Sequence, residues 1–330
     1  MHLPIVSVII PTYNRARMLG EAIESVRAQA VHDVEIIVVD SHSTDGTADV
    51  IRRAGPGIMH LQQERLGVAA ARNLGIQHAS APYIALLDSD DRWLPGKLER
   101  QLAFLREHPQ TGLVYARMWS YHVDRPNERR LDPYVIARSF DELLNGPNAV
   151  TTSTVLIRRE CFDAVGVFNP ALRAAEDHEL WLRIAKRFPI AFMDEVMGEY
   201  RRHGESINTN PTLLYEGYRG YFEIILRDYR GHLRDPRAAE RQLAKFEYLC
   251  GTSALKRGQA REAMRLIRRA LRRDAALGTQ FIGAHASWPA RAWLPLKPYA
   301  ALAVSAMRLG GRTTNGVVSV DETPDAGSSR

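Results

Sequence analysis

The segment VSVIIPTYNRARMLGEAIESVRAQAVHDVEIIVVD, residues 6–40, predicts the fold class of the chain. Its two apolar runs, 6–10 and 34–39, are rich in β-branched residues and have the length of buried strands. Apolar residues at helical spacing lie between the runs: Leu19, Ala22, Ile23 and Val26. A strand, a helix and a second strand in this order predict parallel strands joined by a crossover helix.

The same alternation continues towards the C-terminus. Further elements are predicted: helices at 47–53 and 67–79, and strands at 58–61, 84–87, 113–120, 150–157 and 190–194. Beyond residue 211 the pattern is only helical. We therefore expect an α/β fold with a Rossmann-like mixed sheet, helices on both faces and a helical C-terminal extension. Ligands of such sheets bind beyond the carboxyl ends of the strands.

Acidic residues crowd the end of the fourth predicted strand. The run YIALLDSDD, residues 83–91, ends in Asp88, Asp90 and Asp91. Because residues two apart in an extended backbone point the same way, Asp88 and Asp90 can share one face. Such a pair suits Mg²⁺ or Mn²⁺, which completes its shell with water and the oxygens of a substrate diphosphate. The alternative is a solvated acidic turn before the helix predicted from Pro95.

Charge and composition restrict the function classes. The 330 residues carry a net charge of +6, and residues 211–330 hold 20 Lys and Arg against 11 Asp and Glu. Cys161 and Cys250 lie far apart and outside any metal-binding spacing, so neither zinc nor a disulfide framework is expected. The apolar start lacks the basic region of a signal peptide, and no later apolar run has the length of a membrane span. A cytoplasmic location is therefore predicted.

The basic C-terminal third suggests one kind of partner and argues against another. Its arginine-rich amphipathic helix suits peripheral contact with the inner face of the plasma membrane, where anionic lipids lie. It has no recognisable nucleic-acid module, so we expect no nucleic-acid partner. A solvated basic face is the simpler interpretation of the same helix.

Six segments match one pattern in order and spacing. They are VSVIIPTYNR, EIIVVDSHSTDGT, GVAAARNLGI, YIALLDSDDRW, VGVFNPALRAAEDHELWLR and YRRHGES, and together they span residues 6–206. On these motifs the chain resembles the family 2 glycosyltransferases of the GT-A fold. The resemblance implies an inverting, metal-dependent enzyme that moves a sugar from a nucleoside diphosphate sugar, with a UDP sugar favoured, to a hydroxyl acceptor. It also implies an acceptor on a glycan or lipid-linked saccharide, in cell-surface polysaccharide or glycolipid biosynthesis.

The resemblance also assigns residues to the donor side of the site. Those expected to bind the nucleotide sugar are Pro11, Thr12, Tyr13, Asp40, Gly67, Arg72, Asp88 and Ser89. Those expected to bind a divalent cation, Mn²⁺ or Mg²⁺, are Asp90, Asp88, Asp91 and His203. Other interpretations remain open: a core aromatic for Tyr13, a surface salt bridge for Arg72, and a structural or solvated role for His203.

The second acidic pair lies in AAEDHELWLR. The resemblance implies that Asp177 is the general base for the acceptor hydroxyl, with Glu176 beside it in the catalytic pair. The alternative is that both carboxylates only favour a helix N-terminus.

Some features depart from the family pattern. Ser41 and His42 replace the acid and glycine that commonly follow the residue at Asp40, which weakens the assignment of uracil. The asparagines often found before Gly67 are missing, and no QxxRW signature is present, so we expect one sugar to be transferred per encounter.

The predicted organisation is a catalytic domain at 1–210, a helical extension at 211–309 that contacts the membrane, and a disordered tail at 310–330. Within the catalytic domain, 1–110 forms the nucleotide half and 111–210 the acceptor half. The rival functions are a sugar nucleotidyltransferase and a non-catalytic nucleotide-sugar-binding protein. A sugar nucleotidyltransferase needs a glycine-rich phosphate loop, which this sequence lacks. A non-catalytic binding protein needs neither a metal site nor a base, whereas candidates for both are present.

Overall fold

The computed structural model describes residues 3–64, 67–131, 136–146, 150–204, 210–275 and 277. The chain forms two compact units, one ending at Pro236 and the other beginning at Arg237. The strands are β1 (Val6–Thr12), β2 (Val34–Asp40), β3 (Ile58–Gln62), β4 (Tyr83–Leu86), β5 (Arg92–Trp93), β6 (Leu113–His122), β7 (Arg125–Leu131), β8 (Leu156–Arg158) and β9 (Ile190–Arg202). The helices are α1 (Ala16–Arg27), α2 (Thr47–Arg53), α3 (Val68–His78), α4 (Lys97–Glu107), α5 (Phe140–Asn145), α6 (Arg159–Val165), α7 (Glu176–Arg187), α8 (Pro211–Asp228), α9 (Pro236–Lys256) and α10 (Ala260–Arg273), with 3₁₀ turns at Thr152–Thr154 and Arg230–His232.

The N-terminal half of the sheet is parallel. β1 lies between β2 and β4, and β2 continues to β3, with every neighbouring pair parallel. Val8 and Ile10 of β1 pack into the core on one face, whereas Ile9 packs into the core on the other. Both faces are therefore buried, as is typical of parallel sheets that are covered by helices. The predicted α/β fold class is confirmed.

Antiparallel pairs extend the sheet beyond β4. The strand order is β3-β2-β1-β4-β8-β6-β9-β5, and β7 pairs with β6. β4 and β6 both run antiparallel to β8, while β9 runs parallel to β6 and antiparallel to β5. Because the acidic turn 88–91 connects β4 to β5, this order places the turn beside the carboxyl end of β9.

Three boundaries differ from those that the sequence predicts. The expected strand at 150–157 is a 3₁₀ turn followed by the short β8, because Thr154 donates from both its backbone N–H and its hydroxyl to the Thr151 carbonyl. β9 extends to Arg202 because β6 pairs with it up to its end. The first compact unit continues past residue 210, since Tyr221 and Ile225 of α8 belong to its core.

The second unit contains α9 and α10. Ala244 and Tyr248 of α9, Ile267 and Ala270 of α10, and Leu277 beyond α10 form a small buried core. The predicted amphipathic helix is present as α10. Among the helices of the described residues, none combines the length and apolar character needed to cross a membrane. The part of the predicted membrane-contacting extension from 278 to 309 and the predicted disordered tail at 310–330 lie outside the described residues.

Candidate functional site

Arg72 of α3 joins the two groups of acidic residues. Its guanidinium donates from Nη1 to Glu176 Oε1 and from Nη2 to Asp88 Oδ1, and each donor–acceptor distance is 2.7 Å. The side chain is buried and lies 5.3 Å from the centre of the Phe168 ring. Burial alone lowers the pKa of Arg72, but the carboxylates of Asp88 and Glu176 raise it above its ordinary value. The guanidinium of Arg72 thus connects the acidic turn after β4 to the start of α7.

The carboxylates of Asp88 and Asp90 reach solvent, with 33% and 19% of their side-chain surface exposed. Asp90 Oδ2 lies 2.9 Å from His203 Nε2 and 3.8 Å from Arg15 Nε. Burial opposes ionisation of Asp90, but the hydrogen bond from His203 and the charge of Arg15 lower its pKa. Burial raises the pKa of Asp88 despite the nearby charge of Arg72.

Asp91 occupies a different environment from the other two acids. Its side chain is buried, and its carboxylate accepts hydrogen bonds from Ser153 Oγ at 2.5 Å and from the backbone N–H of Arg201 at 3.3 Å. Burial, followed by the charges of Asp90 and Asp88, raises the pKa of Asp91 well above its usual value. These contacts fix the turn from inside the protein.

The donor atoms at this turn fit a divalent cation shared with a substrate. Across the residues with described structure, no three His, Cys, Asp or Glu side chains are placed to hold an ion by themselves. Asp88 and Asp90 nevertheless present hard oxygen donors to solvent, and His203 adds a nitrogen that Mn²⁺ accepts. An ion bound by one or two carboxylates and completed by diphosphate oxygens requires no larger protein cage.

The acidic pair that the sequence predicts on the acceptor side lies at the start of α7. Ala175 precedes the helix with φ of 60°, a left-handed conformation that is uncommon for a residue with a side chain. Glu176 then points to Arg72, whereas Asp177 Oδ2 accepts a hydrogen bond from Thr152 Oγ1 at 2.9 Å. Burial and the charge of Asp177 raise the pKa of Glu176 to about 7, against the charge of Arg72.

Aromatic rings from α8 lie on this acceptor side. The rings of Tyr218 and Tyr221 meet the ring of His178 edge-on, each at 5.8 Å between centres. Gly217 allows α8 to approach, since a Cβ atom there would lie 2.5 Å from the carbonyl oxygen of Ala174. α8 therefore contributes to the surroundings of Asp177, although the sequence boundary at 210 excluded it from the catalytic domain.

The first residues that the sequence predicts to bind the nucleotide lie at the ends of β1 and β2. Pro11 and Thr12 are buried at the end of β1, and Tyr13 is half-buried in the following loop. The Thr12 hydroxyl is buried without a hydrogen-bond partner in the described part of the chain. Asp40 Oδ1 accepts hydrogen bonds from the backbone N–H of Ser43 at 3.0 Å and from its hydroxyl at 2.5 Å.

Two further residues that are predicted to bind the nucleotide differ in exposure. Gly67, before α3, is exposed and has φ of 98°, which other residues rarely adopt. Ser89 is buried within the acidic turn. The structure thus brings Arg72, Asp88 and Glu176 into direct contact, and it places the Asp90 carboxylate within hydrogen-bond distance of the His203 ring.

Three residues of the site were missed from the sequence. Thr152 and Ser153 contact the two acidic groups, and Arg201 donates from Nε to the Asp90 carbonyl oxygen at 2.6 Å. Arg201 lies within the YRRHGES motif, which was the available signal for it. Thr152 and Ser153 lie in a short polar run without periodicity, which carries no such signal.

Comparisons with known proteins agree with this architecture. Residues 7–166 match the family model described as glycosyl transferase family 2. TuaG of Bacillus subtilis (strain 168), named as a candidate teichuronic acid biosynthesis glycosyltransferase, is 32% identical over 216 residues, which are 63% of this chain and 82% of TuaG.

Solved structures share the fold at lower identity. S. aureus TarS 1–349 in complex with UDP-GlcNAc gives a TM-score of 0.60 at 18% identity, covering 93% of this chain and 92% of that one. The mannosyltransferase PcManGT from Pyrobaculum calidifontis, in complex with GDP-Man and Mn²⁺, gives 0.55 at 21% identity, covering 96% and 88%.

Proposed function

The chain belongs to glycosyl transferase family 2, and we propose that it moves one sugar per encounter from a nucleoside diphosphate sugar to a hydroxyl acceptor, with inversion at the anomeric carbon. The observation that carries the proposal is the position of Arg72 between Asp88 and Glu176. This ion-pair bridge holds a donor-side carboxylate next to a pair of acids that includes a solvent-accessible candidate base. A single displacement needs these two groups and no enzyme nucleophile.

In the proposed reaction Asp177 accepts the proton of the acceptor hydroxyl. The acceptor oxygen then forms a bond to the anomeric carbon of the sugar while the bond from that carbon to the diphosphate oxygen breaks. The electron pair of the broken bond leaves with the nucleoside diphosphate. Asp177 suits this role because 22% of its side-chain surface is exposed, whereas its neighbour Glu176 is buried against Arg72.

The donor side has to stabilise negative charge on the departing diphosphate. Asp90, Asp88 and His203 would hold a Mn²⁺ or Mg²⁺ ion, which when bound supplies Lewis-acid stabilisation of that charge. Arg72 lies at the same carboxylates and can orient the diphosphate or the ribose. The unpartnered hydroxyl of Thr12, within the described part of the chain, supports a nucleotide contact at the end of β1.

We take the donor to be a UDP sugar and the acceptor to be a glycan or lipid-linked saccharide of the cell surface. The name of TuaG supports the polysaccharide class, and the TarS complex with UDP-GlcNAc supports the nucleotide. PcManGT, with GDP-Man and Mn²⁺, is a precedent for a different nucleobase on the same fold. A test of the donor therefore has to include nucleotide sugars with several nucleobases.

We also propose that the second unit contacts an anionic membrane surface peripherally. Four arginines of α10 recur at spacings of four, three and four, which places them on one face, and all four are exposed: Arg261, Arg265, Arg268 and Arg272. Arg265 of this row pairs with Glu262, and two other arginines of the helix, Arg269 and Arg273, pair with the buried Glu247. The four exposed arginines form a basic surface of this helix, with Glu262 beside Arg265.

The test of the catalytic proposal is release of nucleoside diphosphate from UDP, GDP and dTDP sugars, with Mn²⁺ or with EDTA. We expect Mn²⁺-dependent turnover that Asp90→Ala nearly abolishes. We expect Asp177→Ala to keep donor binding, measured by calorimetry, while turnover falls by about 10²- to 10⁴-fold. Asp49→Ala, which removes an exposed carboxylate outside the site, is the control.

Three outcomes would contradict the proposal. Full turnover in Asp177→Ala would show that Asp177 is not the general base. Donor binding without turnover in the wild type indicates a binding protein, and release of pyrophosphate from a nucleoside triphosphate and a sugar phosphate indicates a nucleotidyltransferase.

A further inference from the structure

A short polar turn, Thr151–Thr154, lies between the two halves of the site. Thr152, Ser153 and Thr154 are at most 5% exposed and form one turn of 3₁₀ helix before β8. Buried hydroxyl groups are almost always hydrogen-bonded, so their partners reveal what the turn holds in place. Two successive side chains of this turn bond to opposite halves of the site.

Thr152 holds the acceptor-side base. Its hydroxyl donates to Asp177 Oδ2 at 2.9 Å, while Asp177 Oδ1 accepts from the backbone N–H of His178 at 2.8 Å. In this bond the Thr152 hydroxyl is the donor and the Asp177 carboxylate oxygen is the acceptor. With one bond on each oxygen, rotation of the carboxylate about its last torsion is restricted, and its remaining lone pairs keep a defined direction.

Ser153 holds the donor-side turn. Its hydroxyl donates to Asp91 Oδ2 at 2.5 Å and accepts from the backbone N–H of Asp88 at 3.1 Å. Its carbonyl oxygen accepts from Trp93 Nε1 at 2.6 Å. Ser153 thereby bonds to both ends of the acidic turn and to the strand that follows it.

We propose that the Thr151–Thr154 turn sets the register between the base and the donor-side carboxylates, with Thr152 positioning Asp177 and Ser153 positioning the acidic turn. Neighbouring Cα atoms are about 3.8 Å apart at a fixed separation, so the two contacts cannot drift independently. A displacement of about 1 Å of a catalytic group can lower the rate by about 100-fold, so a fixed position of the base relative to the donor-side carboxylates preserves the rate. The inference rests on the proposed glycosyl transfer.

The two residues are expected to act on different kinetic quantities. Thr152→Val keeps the shape of the side chain and removes the hydroxyl, so kcat should fall by about 10- to 100-fold. Affinity for UDP with Mn²⁺, measured by calorimetry, should stay within about twofold. Ser153→Ala should instead weaken binding of UDP with Mn²⁺ by about tenfold, because the residues that bind the ion lose their support.

Three further variants separate positioning from general damage to the fold. Thr152→Ser restores the hydroxyl and should recover most of kcat. Thr252→Val is the matched control, because that hydroxyl bonds within α9, to the Leu249 carbonyl oxygen. In an Asp177→Asn background, Thr152→Val should lower the residual turnover no further, since no base remains to be oriented.

The outcomes are distinguishable from failure of the function itself. Turnover is measured with the donor that the nucleotide-sugar panel identifies, and folding of every variant is checked by its thermal unfolding. Wild-type kcat in Thr152→Val, or equal losses of kcat and UDP affinity in both single variants, overturns the inference while leaving the transferase proposal intact. Absence of wild-type turnover with every donor overturns the proposed function and this inference with it.

Discussion

Arg72 connects two carboxylates that lie far apart in the chain, those of Asp88 and Glu176. It holds one carboxylate from the turn after β4 and one from the start of α7, and both bonds are 2.7 Å long. Each acid is buried or partly buried, so each depends on the guanidinium for compensation of its charge. A residue that the motifs place only at the nucleotide therefore also holds the two halves of the site together.

Replacing Arg72 by Met should destabilise the first unit by about 3 to 5 kcal/mol, because removing one partner of a buried ion pair leaves uncompensated charges. Glu176, whose pKa is already raised to about 7, would then have an even higher pKa. A carboxyl group with a pKa above its unfolded value destabilises the fold as pH rises. The loss measured by urea unfolding should therefore be larger at pH 8 than at pH 5.

The control for this variant is Arg52→Met, which removes an exposed partner of Asp49 and should change the unfolding free energy by less than about 1 kcal/mol. Equal unfolding midpoints for the two variants would show that the Arg72 bridge contributes nothing to stability.

The sequence was informative for individual acids and uninformative for their partners. Asp88, Asp90, Glu176 and Asp177 stand in short motifs with a recognisable order, so the sequence alone identifies them as candidates. That Arg72 bonds to two of them depends on how α3 and α7 pack, which no local pattern encodes. The hydroxyl contacts of Thr152 depend in the same way on the tertiary fold.

At the scale of elements, close contact between α3 and β1 supports the nucleotide side of the sheet. A Cβ atom on Gly75 in α3 would overlap Ile9 Cγ2, whereas a Cβ atom on Gly20 in α1 would meet Val50 Cγ1 at an ordinary 3.6 Å. Both glycines lie inside helices, where alanine is intrinsically preferred by about 0.5 to 1 kcal/mol. The two positions therefore separate packing from helix propensity.

Gly75→Ala should lower the free energy of unfolding by about 1 to 3 kcal/mol, because overpacking against a buried strand forces α3 outward. Gly20→Ala should be neutral or stabilising. Urea unfolding followed by circular dichroism measures both changes. If Gly75→Ala proved as stable as Gly20→Ala, the close packing of α3 on β1 would be wrong.

Alternation of strands and helices predicted the parallel half of the sheet well, because hydrophobic periodicity is a local property. The sequence did not predict the insertion of β8 between β4 and β6, since pairing order depends on contacts between distant segments. It also missed the length of β9, whose mixed polar sequence MDEVMGEYRR shows no regular alternation and whose register against β6 shifts. The long-range pairing with β6 outweighs this weak local propensity.

At the scale of the whole molecule, charge is divided along the chain. Residues 1–210 hold 24 Lys and Arg against 27 Asp and Glu, whereas residues 211–330 hold 20 against 11. The excess of acidic residues in 1–210 and of basic residues in 211–330 suits a chain that binds an anionic surface through its C-terminal part. This division was visible in the sequence, but the alignment of four arginines on one exposed face of α10 required the observed burial of the helix.

Binding to vesicles of phosphatidylglycerol and phosphatidylcholine tests this division. The full chain should bind anionic vesicles at low salt and dissociate as salt rises, because exposed charges are screened. Changing Arg261, Arg265, Arg268 and Arg272 together to Gln should lower the vesicle affinity on the order of 100-fold, at up to about 1 kcal/mol per charge. The control changes four exposed arginines of the first unit to Gln: Arg52, Arg53, Arg106 and Arg187. Both variants lose the same net charge, so equal losses of affinity would indicate a general electrostatic effect, and loss only in the α10 variant would locate the membrane contact on that helix.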